Sequence, residues 1–320
     1  MVEDSPGPLL AKVEPLSDAL APVSELMSEA VDLAAKSRSA STLRVYQTQW
    51  QRFEAWGRAR GMEVLPAEPG TLVLYLTERH RKVGVSSLGQ ALAAIAHRHR
   101  ERGLPDATHD PAVRRVYDGI CRERRGDKLK QATPLLLEHL RDLSRVCNIR
   151  DRALLVLGWT LARRRSELVQ FDLSDVTEED EGLKVVVRWS KTDQLGEGET
   201  LGAPSTDDPL TCPVRTLRAW LEERGVEPGP LFTSVRGRRL SGEDVSRVMR
   251  RAIKRAGYDP DFIEKFSAHS LRSGFATTAA KNKKDAFAIA KQGSWKSLNT
   301  VRRYVRDAEL FENNAAKGLK

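Results

Sequence analysis

Three short runs near the end of the chain, AHSLRSG (residues 268–274), GSW (293–295) and RYV (303–305), decide how the rest is interpreted. In them a histidine precedes an arginine by three residues, and a tyrosine follows a tryptophan by nine. Arginine and histidine are suited to clamping a phosphate, and a tyrosine hydroxyl can act as a covalent nucleophile. The runs are compatible with a phosphate-binding site that contains a nucleophile, and the upstream chain decides this interpretation by supplying the rest of such a site or failing to.

The charge of the chain points to a polyanionic partner. Its 320 residues include 53 Lys and Arg against 44 Asp and Glu, for a net charge of +9. Residues 1–36 hold seven acidic and two basic residues, a net charge of −5, so the remainder carries +14. A basic body of this kind most commonly binds nucleic acid.

Cysteine usage and hydropathy indicate the compartment. Cys121, Cys147 and Cys212 lie far apart and form no CxxC pair, which fits a reduced protein without a zinc site. The chain has no apolar run of about 18 residues and no N-terminal signal pattern. We expect a cytoplasmic protein whose basic body is associated with nucleic acid, with no membrane partner, no cofactor and no bound metal.

Changes in composition divide the chain into four parts. We expect an acidic, mobile leader over residues 1–36, a helical bundle over 37–126, a polar linker over 127–133 and a second domain over 134–320. The fold class is therefore mostly α, with a helical N-terminal bundle and a mixed C-terminal domain that contains a small antiparallel β-hairpin or sheet.

The bundle is predicted from helical periodicity. Its first helix should begin at Ser39 or Ser41, end at Gly61 and bury one apolar face. That face consists of Leu43, Tyr46, Trp50, Phe53 and Trp56. Three more helices should cover about 70–82, a stretch capped by Ser86 or Ser87 that runs to about 102, and 111–125 capped by Asp110.

The second domain should begin with helices at about 134–146 and 150–161, the first opened by Thr133-Pro134. A valine-rich strand from residue 183 should form a hairpin that ends near 201. Later helices are expected near 213–224, 241–256, 269–281, 285–292, 297–306 and 308–317. Between the second helix and the strand lie three consecutive arginines, 163–165, which are either a solvated face or phosphate ligands.

Together these motifs resemble the tyrosine recombinases of the phage integrase family. Glu167 stands three residues after Arg164, which matches the first-arginine box of the family and selects Arg164 from the arginine run. Lys191 lies on a hairpin like the one that carries the family's lysine. His269-x-x-Arg272 matches the second box, Trp295 matches the Cre-like branch, and Tyr304 takes the nucleophile position; the match extends over about residues 39–310.

The resemblance implies a role for each residue. Tyr304 would attack a DNA phosphodiester and form a 3′-phosphotyrosine, while Arg164 and Arg272 stabilise the phosphate without metal or ATP. Lys191 would protonate the leaving 5′-oxygen. His269 would donate to a phosphate oxygen or accept the tyrosine proton. Trp295 would donate its indole N–H or pack against its neighbours, and Glu167 would orient Arg164 or His269.

The resemblance also implies double-stranded DNA and further copies of the chain as partners. Base contacts would fall on Arg44, Ser86, Ser87 and Gln90, and a phosphate contact on Arg247. The segment after Tyr304, with Leu310 and Phe311, would insert into a neighbouring subunit of a homotetramer on two sites with inverted-repeat arms, or else pack within its own chain. Two alternatives remain open: a DNA-binding regulator without chemistry and a topoisomerase-like relaxing enzyme.

Overall fold

The computed structural model describes residues 25–29, 33, 37–126, 133–188, 198–267 and 269–308. It separates into two compact units, Met1–Lys128 and Leu129–Lys320. The described residues are mostly helical and contain one three-stranded antiparallel sheet, which confirms the predicted fold class. Residues 127–132 lie outside the described residues, so the linker stays a prediction. No helix in the described ranges is long and apolar enough to cross a membrane.

The first unit is a bundle of amphipathic helices whose apolar faces meet in one core. A helical stretch at 25–29 precedes helices α1 (Ala40–Arg58), α2 (Pro69–Arg79), α3 (Val85–Glu101) and α4 (Pro111–Glu123). Phe53 of α1 and Tyr75 of α2 are buried there, with ring centroids 4.8 Å apart. The Ser39 side chain caps α1 by accepting from the Thr42 N–H at 3.2 Å, and Asp110 caps α4 by accepting from the Ala112 N–H at 2.8 Å.

Two details of the bundle differ from the prediction. Leu43 was assigned to the core but is 38% exposed, because it lies in the first turn of α1 and lines a surface groove with Tyr46 and Trp50. Helix α3 begins at Val85, so the predicted cap at Ser86 or Ser87 is wrong. Gly84 takes the N-cap position in an extended conformation without a side-chain hydrogen bond, and both serines lie within the first turn.

The second unit places helices around a small sheet. Its helices are α5 (Leu137–Val146), α6 (Ile149–Thr160), α7 (Arg165–Leu168), α8 (Pro213–Arg224), α9 (Gly242–Arg255), α10 (Pro260–Lys265), α11 (His269–Lys281), α12 (Ala286–Gly293) and α13 (Leu298–Ala308). The strands are β1 (Val176–Glu179), β2 (Gly182–Val187) and β3 (Glu199–Pro204), in the order β1-β2-β3. Strands β2 and β3 pair so that Val187 lies opposite Glu199. Helix α6, helix α9 and the inner face of the sheet each supply five residues to the core.

The start of this unit corrects another prediction. The helix expected from Thr133-Pro134 begins at Leu137, because Leu135 is held in an extended segment against α11. The Leu135 N–H donates to the Ser270 carbonyl at 2.9 Å, and its own carbonyl accepts from the Trp159 indole N–H at 2.8 Å. Strand β1 and the short helices α7 and α10 were not predicted. The helix predicted at 308–317 falls almost wholly outside the described residues.

Candidate functional site

The three consecutive arginines point in three directions. They follow Ala162, whose positive φ of 49° ends α6 in a sharp turn. Arg163 is buried, with a side chain 0% exposed, whereas the Arg164 side chain is 24% exposed. Arg165 reaches α9, where it contacts Glu243 at 2.7 Å and Ser246 at 3.0 Å. Arg164 is thus the member of the run that lies in the site with a side chain still accessible to a ligand.

Glu167 accepts hydrogen bonds from both the side chain and the backbone of Arg164 at the N-terminus of α7. Its Oε1 accepts from Nη1 of Arg164 at 2.5 Å, and its Oε2 accepts from the Arg164 backbone N–H at 3.2 Å. The Glu167 side chain is fully buried. One carboxylate oxygen thus holds the guanidinium and the other satisfies the N–H of the N-cap residue, which places the carboxylate at the third residue of α7.

Arg272 lies at the bottom of the site on α11. Its Nη1 donates to the Ala162 carbonyl at 2.6 Å and to the Gly293 carbonyl, so one nitrogen joins the end of α6 to the end of α12. Within the described part of the chain, its buried Nη2 has no hydrogen-bond partner. An unsatisfied buried guanidinium nitrogen is costly, and an anionic oxygen would satisfy it.

The ring of Trp295 covers the Arg272 guanidinium. The guanidinium carbon lies 3.8 Å from the ring centroid, a close cation–π contact. The ring also lies over Gly293, where an added Cβ would come within 1.8 Å of it. Glycine is therefore required at this position by the close approach of the indole. Trp295 is half-buried and serves here as a wall of the arginine site.

Tyr304 approaches the same place from α13. Its ring centroid is 6.1 Å from that of Trp295, and the ring packs on a small apolar cluster formed by α11, α12 and α13. Val301, one turn earlier on α13, is buried in this cluster. The tyrosine is half-buried, and it lies beside Arg272 of its own chain.

Burial and the arginine charges shift the titration of these groups. Burial, followed by the positive charges of Arg164 and Arg163, lowers the pKa of Arg272 to about 9, which leaves it charged at neutral pH. Burial, followed by the charges of Arg272 and Arg164, lowers the pKa of His269, although the residue as a whole is exposed. Burial raises the pKa of Tyr304, and the charges of Arg272 and Arg303 partly oppose this.

The structure brings together six of the seven residues proposed for the chemistry. Residues Arg164, Glu167, His269, Arg272, Trp295 and Tyr304 lie in one region of the second unit. Lys191 falls in residues 189–197, outside the described residues, so its role stays a prediction. The side chains in this region form a positively charged floor beside one tyrosine hydroxyl, an arrangement suited to attack on a phosphodiester.

The residues proposed to bind DNA have different surroundings. On the bundle, Ser86 and Gln90 are exposed in α3, while Ser87 accepts a hydrogen bond from the Gln49 amide at 3.4 Å. Arg44 is exposed, and its Nε donates to the Ala40 carbonyl at 3.3 Å. In the second unit, Arg247 is exposed on α9 and pairs with Asp244. These assignments stay proposals.

Sequence reasoning missed the residues that support the site. Arg163 was weighed as an alternative clamp residue, and Glu199 and Ser294 received no role. The resemblance assigned the phosphate clamp to Arg164 through its spacing to Glu167, which left Arg163 without an assigned role. No local pattern marks Glu199, because its partner lies 36 residues away.

The chain is similar to known proteins in both sequence and fold. The model of the phage integrase family matches residues 130–310. An integrase/recombinase xerD homolog from Selenomonas ruminantium is 33% identical over 88% of this chain and 85% of its own length. The recombinase cre of Escherichia phage P1 is 25% identical over 85% of each chain. The fold is also similar to that of XerH recombinase bound to a palindromic difH substrate, with a TM-score of 0.64, 19% identity and coverage of 89% of this chain and 81% of that one.

Proposed function

Because this chain belongs to the phage integrase family and is a site-specific tyrosine recombinase, we propose that it cuts and rejoins DNA through a covalent bond between Tyr304 and a 3′-phosphate. The observation that carries the proposal is the buried Nη2 of Arg272, which has no partner among the described residues and lies in the region of Arg164 and Tyr304. A scissile phosphate provides the anionic oxygens that these two guanidiniums would bind.

In the proposed reaction, the Tyr304 hydroxyl oxygen attacks phosphorus while the bond from phosphorus to the 5′-oxygen breaks. The tyrosine loses its proton, and the leaving oxygen gains one. The new phosphotyrosine preserves a phosphodiester, so the reverse attack by a 5′-hydroxyl rejoins the strand without ATP. Arg164 and Arg272 stabilise the negative charge that develops on the nonbridging oxygens, a role that other phosphoryl-transfer enzymes give to metal ions.

Proton movement is assigned from the charges of the site. The raised pKa of Tyr304 keeps its hydroxyl protonated at neutral pH, so the attack needs a base. The lowered pKa of His269 keeps its imidazole neutral and able to accept that proton. We assign the proton donation to the 5′-oxygen to Lys191. Trp295 has only an N–H donor, so it shapes the arginine site and carries no proton.

We further propose that the bundle reads the target sequence and that four copies assemble on two sites. Arg44, Ser86, Ser87 and Gln90 would contact bases, since Arg suits guanine and Gln suits adenine. Arg247 would contact the backbone. Inverted-repeat arms follow if two copies bind one site symmetrically, and the palindromic substrate of XerH supports this. Exchange of the segment after Tyr304, with Leu310 and Phe311, would link the subunits.

The test is covalent capture. The purified chain is incubated with duplexes from the DNA that flanks its gene, chosen for inverted repeats, then denatured and examined for a protein–DNA adduct. Wild type should form the adduct, and Tyr304→Phe should form none. Tyr258→Phe is the matched control, because the Tyr258 hydroxyl donates to Asp142 at 2.8 Å and is given no role in the chemistry. An undiminished adduct in Tyr304→Phe would show that the mechanism is wrong.

A further inference from the structure

Arg163 has an unusual set of contacts for an arginine beside a phosphate site. Its side chain is fully buried, and every nitrogen of its guanidinium donates a hydrogen bond. Nε donates to the Leu161 carbonyl, Nη1 to Oε1 of Glu199, and Nη2 to the Gln292 carbonyl and the Ser294 hydroxyl, each at 2.8 Å. The guanidinium is therefore engaged by the protein at every nitrogen and is enclosed away from any DNA.

These acceptors join the same two segments that Arg272 joins. Arg272 connects the Ala162 carbonyl with the Gly293 carbonyl, while Arg163 connects residue 161 with residues 292 and 294. The two arginines differ in whether a terminal guanidinium nitrogen is left over to bind a ligand. Nη2 of Arg272 has no partner in the described part of the chain, whereas both terminal nitrogens of Arg163 are bonded.

The segment that Arg163 holds is the turn on which the Trp295 wall depends. Ser294 adopts a left-handed conformation, with φ 53° and ψ 48°, which a non-glycine residue keeps only when its surroundings impose it. The Ser294 hydroxyl is held between Arg163 and the Glu199 carboxylate, to which it donates. Glu199 begins β3 opposite Val187, the last residue of β2, so the bridge also ties this end of the β2–β3 pair to the turn.

We propose that Arg163 is a positioning residue for DNA cleavage. Through Glu199 and Ser294 it fixes the turn of residues 292–295, and this holds Trp295 against Arg272 with Nη2 of Arg272 left for the scissile phosphate. Arg163 does not contact DNA. The inference rests on the proposed function for its catalytic consequence, while its structural consequence is measurable in the free protein.

The acceptor set requires a guanidinium. Its five N–H groups lie in one plane and fork toward several acceptors, whereas an ammonium is a point charge on a flexible stem. The lysine of an Arg163→Lys variant would keep the charge next to Glu199 but could not reach residues 161, 292 and 294 together. The turn would then loosen while the ion pair remains.

The first experiment compares Arg163→Lys with Arg224→Lys in the full chain. Arg224 is the matched control, because it also donates to several backbone carbonyls, those of Gly225, Glu227 and Pro230, and lies at the end of α8 with no proposed role. We expect Arg163→Lys to slow single-turnover adduct formation by about 10- to 100-fold, the usual effect of displacing a catalytic group by about 1 Å. Its DNA affinity should change by less than about threefold, and Arg224→Lys should match wild type in both.

A second substrate separates misplacement of Arg272 from a general loss of folded protein. A methylphosphonate at the scissile position replaces one nonbridging oxygen by a methyl group, which removes one of the negative charges that Arg164 and Arg272 stabilise. The defect of Arg163→Lys should shrink at least about fivefold on this substrate. An equal defect on both substrates, or a wild-type rate on the phosphate, would overturn the proposal.

The third measurement needs no DNA. The indole N–H signal of Trp295, identified by its loss in Trp295→Phe, should move or broaden in Arg163→Lys and keep its place in Arg224→Lys. Ser294→Ala removes one acceptor and provides a milder variant if Arg163→Lys does not fold; it should move the same signal. An unmoved Trp295 signal in both variants contradicts the positioning role. If wild type forms no adduct but the signal moves, the proposed function fails while the Arg163 bridge stands.

Discussion

Gly274 offers a test in which two physical effects predict opposite results. It lies in the middle of α11, two residues after Arg272, where alanine is favoured over glycine by about 1 kcal/mol on helix propensity. A Cβ built at Gly274, however, would lie 1.8 Å from the Leu135 carbonyl oxygen and 2.5 Å from its carbonyl carbon. Both are backbone atoms, so no side-chain rotation relieves the overlap.

The size of the steric effect follows from these distances. An ordinary contact needs about 3.4 Å, so α11 or the Leu135 segment must move by roughly 1.5 Å, and overpacking of this kind costs about 1–3 kcal/mol. The same movement stretches the hydrogen bonds from Leu135 to Ser270 and from Trp159 to Leu135, each worth about 1 kcal/mol. After the propensity gain is subtracted, we expect Gly274→Ala to lower the free energy of unfolding by about 2–4 kcal/mol.

The assay is urea unfolding of the full chain, followed by circular dichroism, together with the rate of adduct formation. Gly202→Ala is the control in the same unit, because a Cβ at that exposed strand position meets nothing within 4 Å and should change stability by less than about 0.5 kcal/mol. Displacement of Arg272 with α11 should also slow adduct formation by about 100-fold in the folded fraction. If Gly274→Ala is as stable as wild type or more so, helix propensity prevails and the packing argument is wrong.

Three further predictions concern charge. Asp244→Asn should lower the free energy of unfolding by about 1–2 kcal/mol at pH 7, after a discount for solvent screening, because Asp244 accepts from the Ser241 N–H and hydroxyl at 2.7 Å and its pKa is lowered to about 2. This contribution is complete above about pH 4 and is lost as pH falls through about 2, so the urea midpoints of Asp244→Asn and wild type should converge there. The lowered pKa of His269 predicts that adduct formation by wild type declines only below about pH 6.5, as the imidazole gains a proton, and a His269→Gln variant that kept this acid limb would refute the assignment of His269 as base. A chelator should leave the adduct yield unchanged, because Arg164 and Arg272 provide the positive charge, and restoration of a lost yield by Mg²⁺ would count against this.

The parts of the fold that could be predicted are those encoded locally. Helix α4 was predicted with its correct cap, Asp110, and the cap of α1, Ser39, was one of the two serines named for it, because a capping side chain and the N–H that it binds lie within three residues of each other. Leu43 shows the limit of periodicity, which gives the inward face of a helix but not where the neighbouring helices stop covering it. The start of α5 was missed for a related reason, since Leu135 is held extended by Ser270, far along the chain.

The residues of the site also separate into those with local partners, which could be predicted, and those with distant partners, which could not. Arg164 could be selected from the run of arginines because the family resemblance expects a carboxylate three residues after its arginine, and the structure joins Arg164 and Glu167 through both carboxylate oxygens. The role of Arg163 could not be predicted, because its partners lie on β3 and at the end of α12, 36 to 131 residues away. Sequence spacing identifies groups that share a local motif, whereas supporting contacts are set by the tertiary fold.

The difference between local and tertiary contacts explains how one run of three arginines can supply both a phosphate ligand, Arg164, and a supporting residue, Arg163. Three adjacent guanidiniums repel one another, and the repulsion costs least when each faces its own acceptors. Arg163 faces the Glu199 carboxylate and backbone carbonyls, and Arg165 faces Glu243. Arg164 pairs with Glu167 through Nη1 and keeps part of its side chain open to solvent. Neutralising Glu199 or Glu243, the carboxylates that Arg163 and Arg165 face, should therefore displace these arginines from their present positions. Because the Glu199 carboxylate bonds both Arg163 and Ser294, its loss is the one that should also shift the surroundings of Arg272.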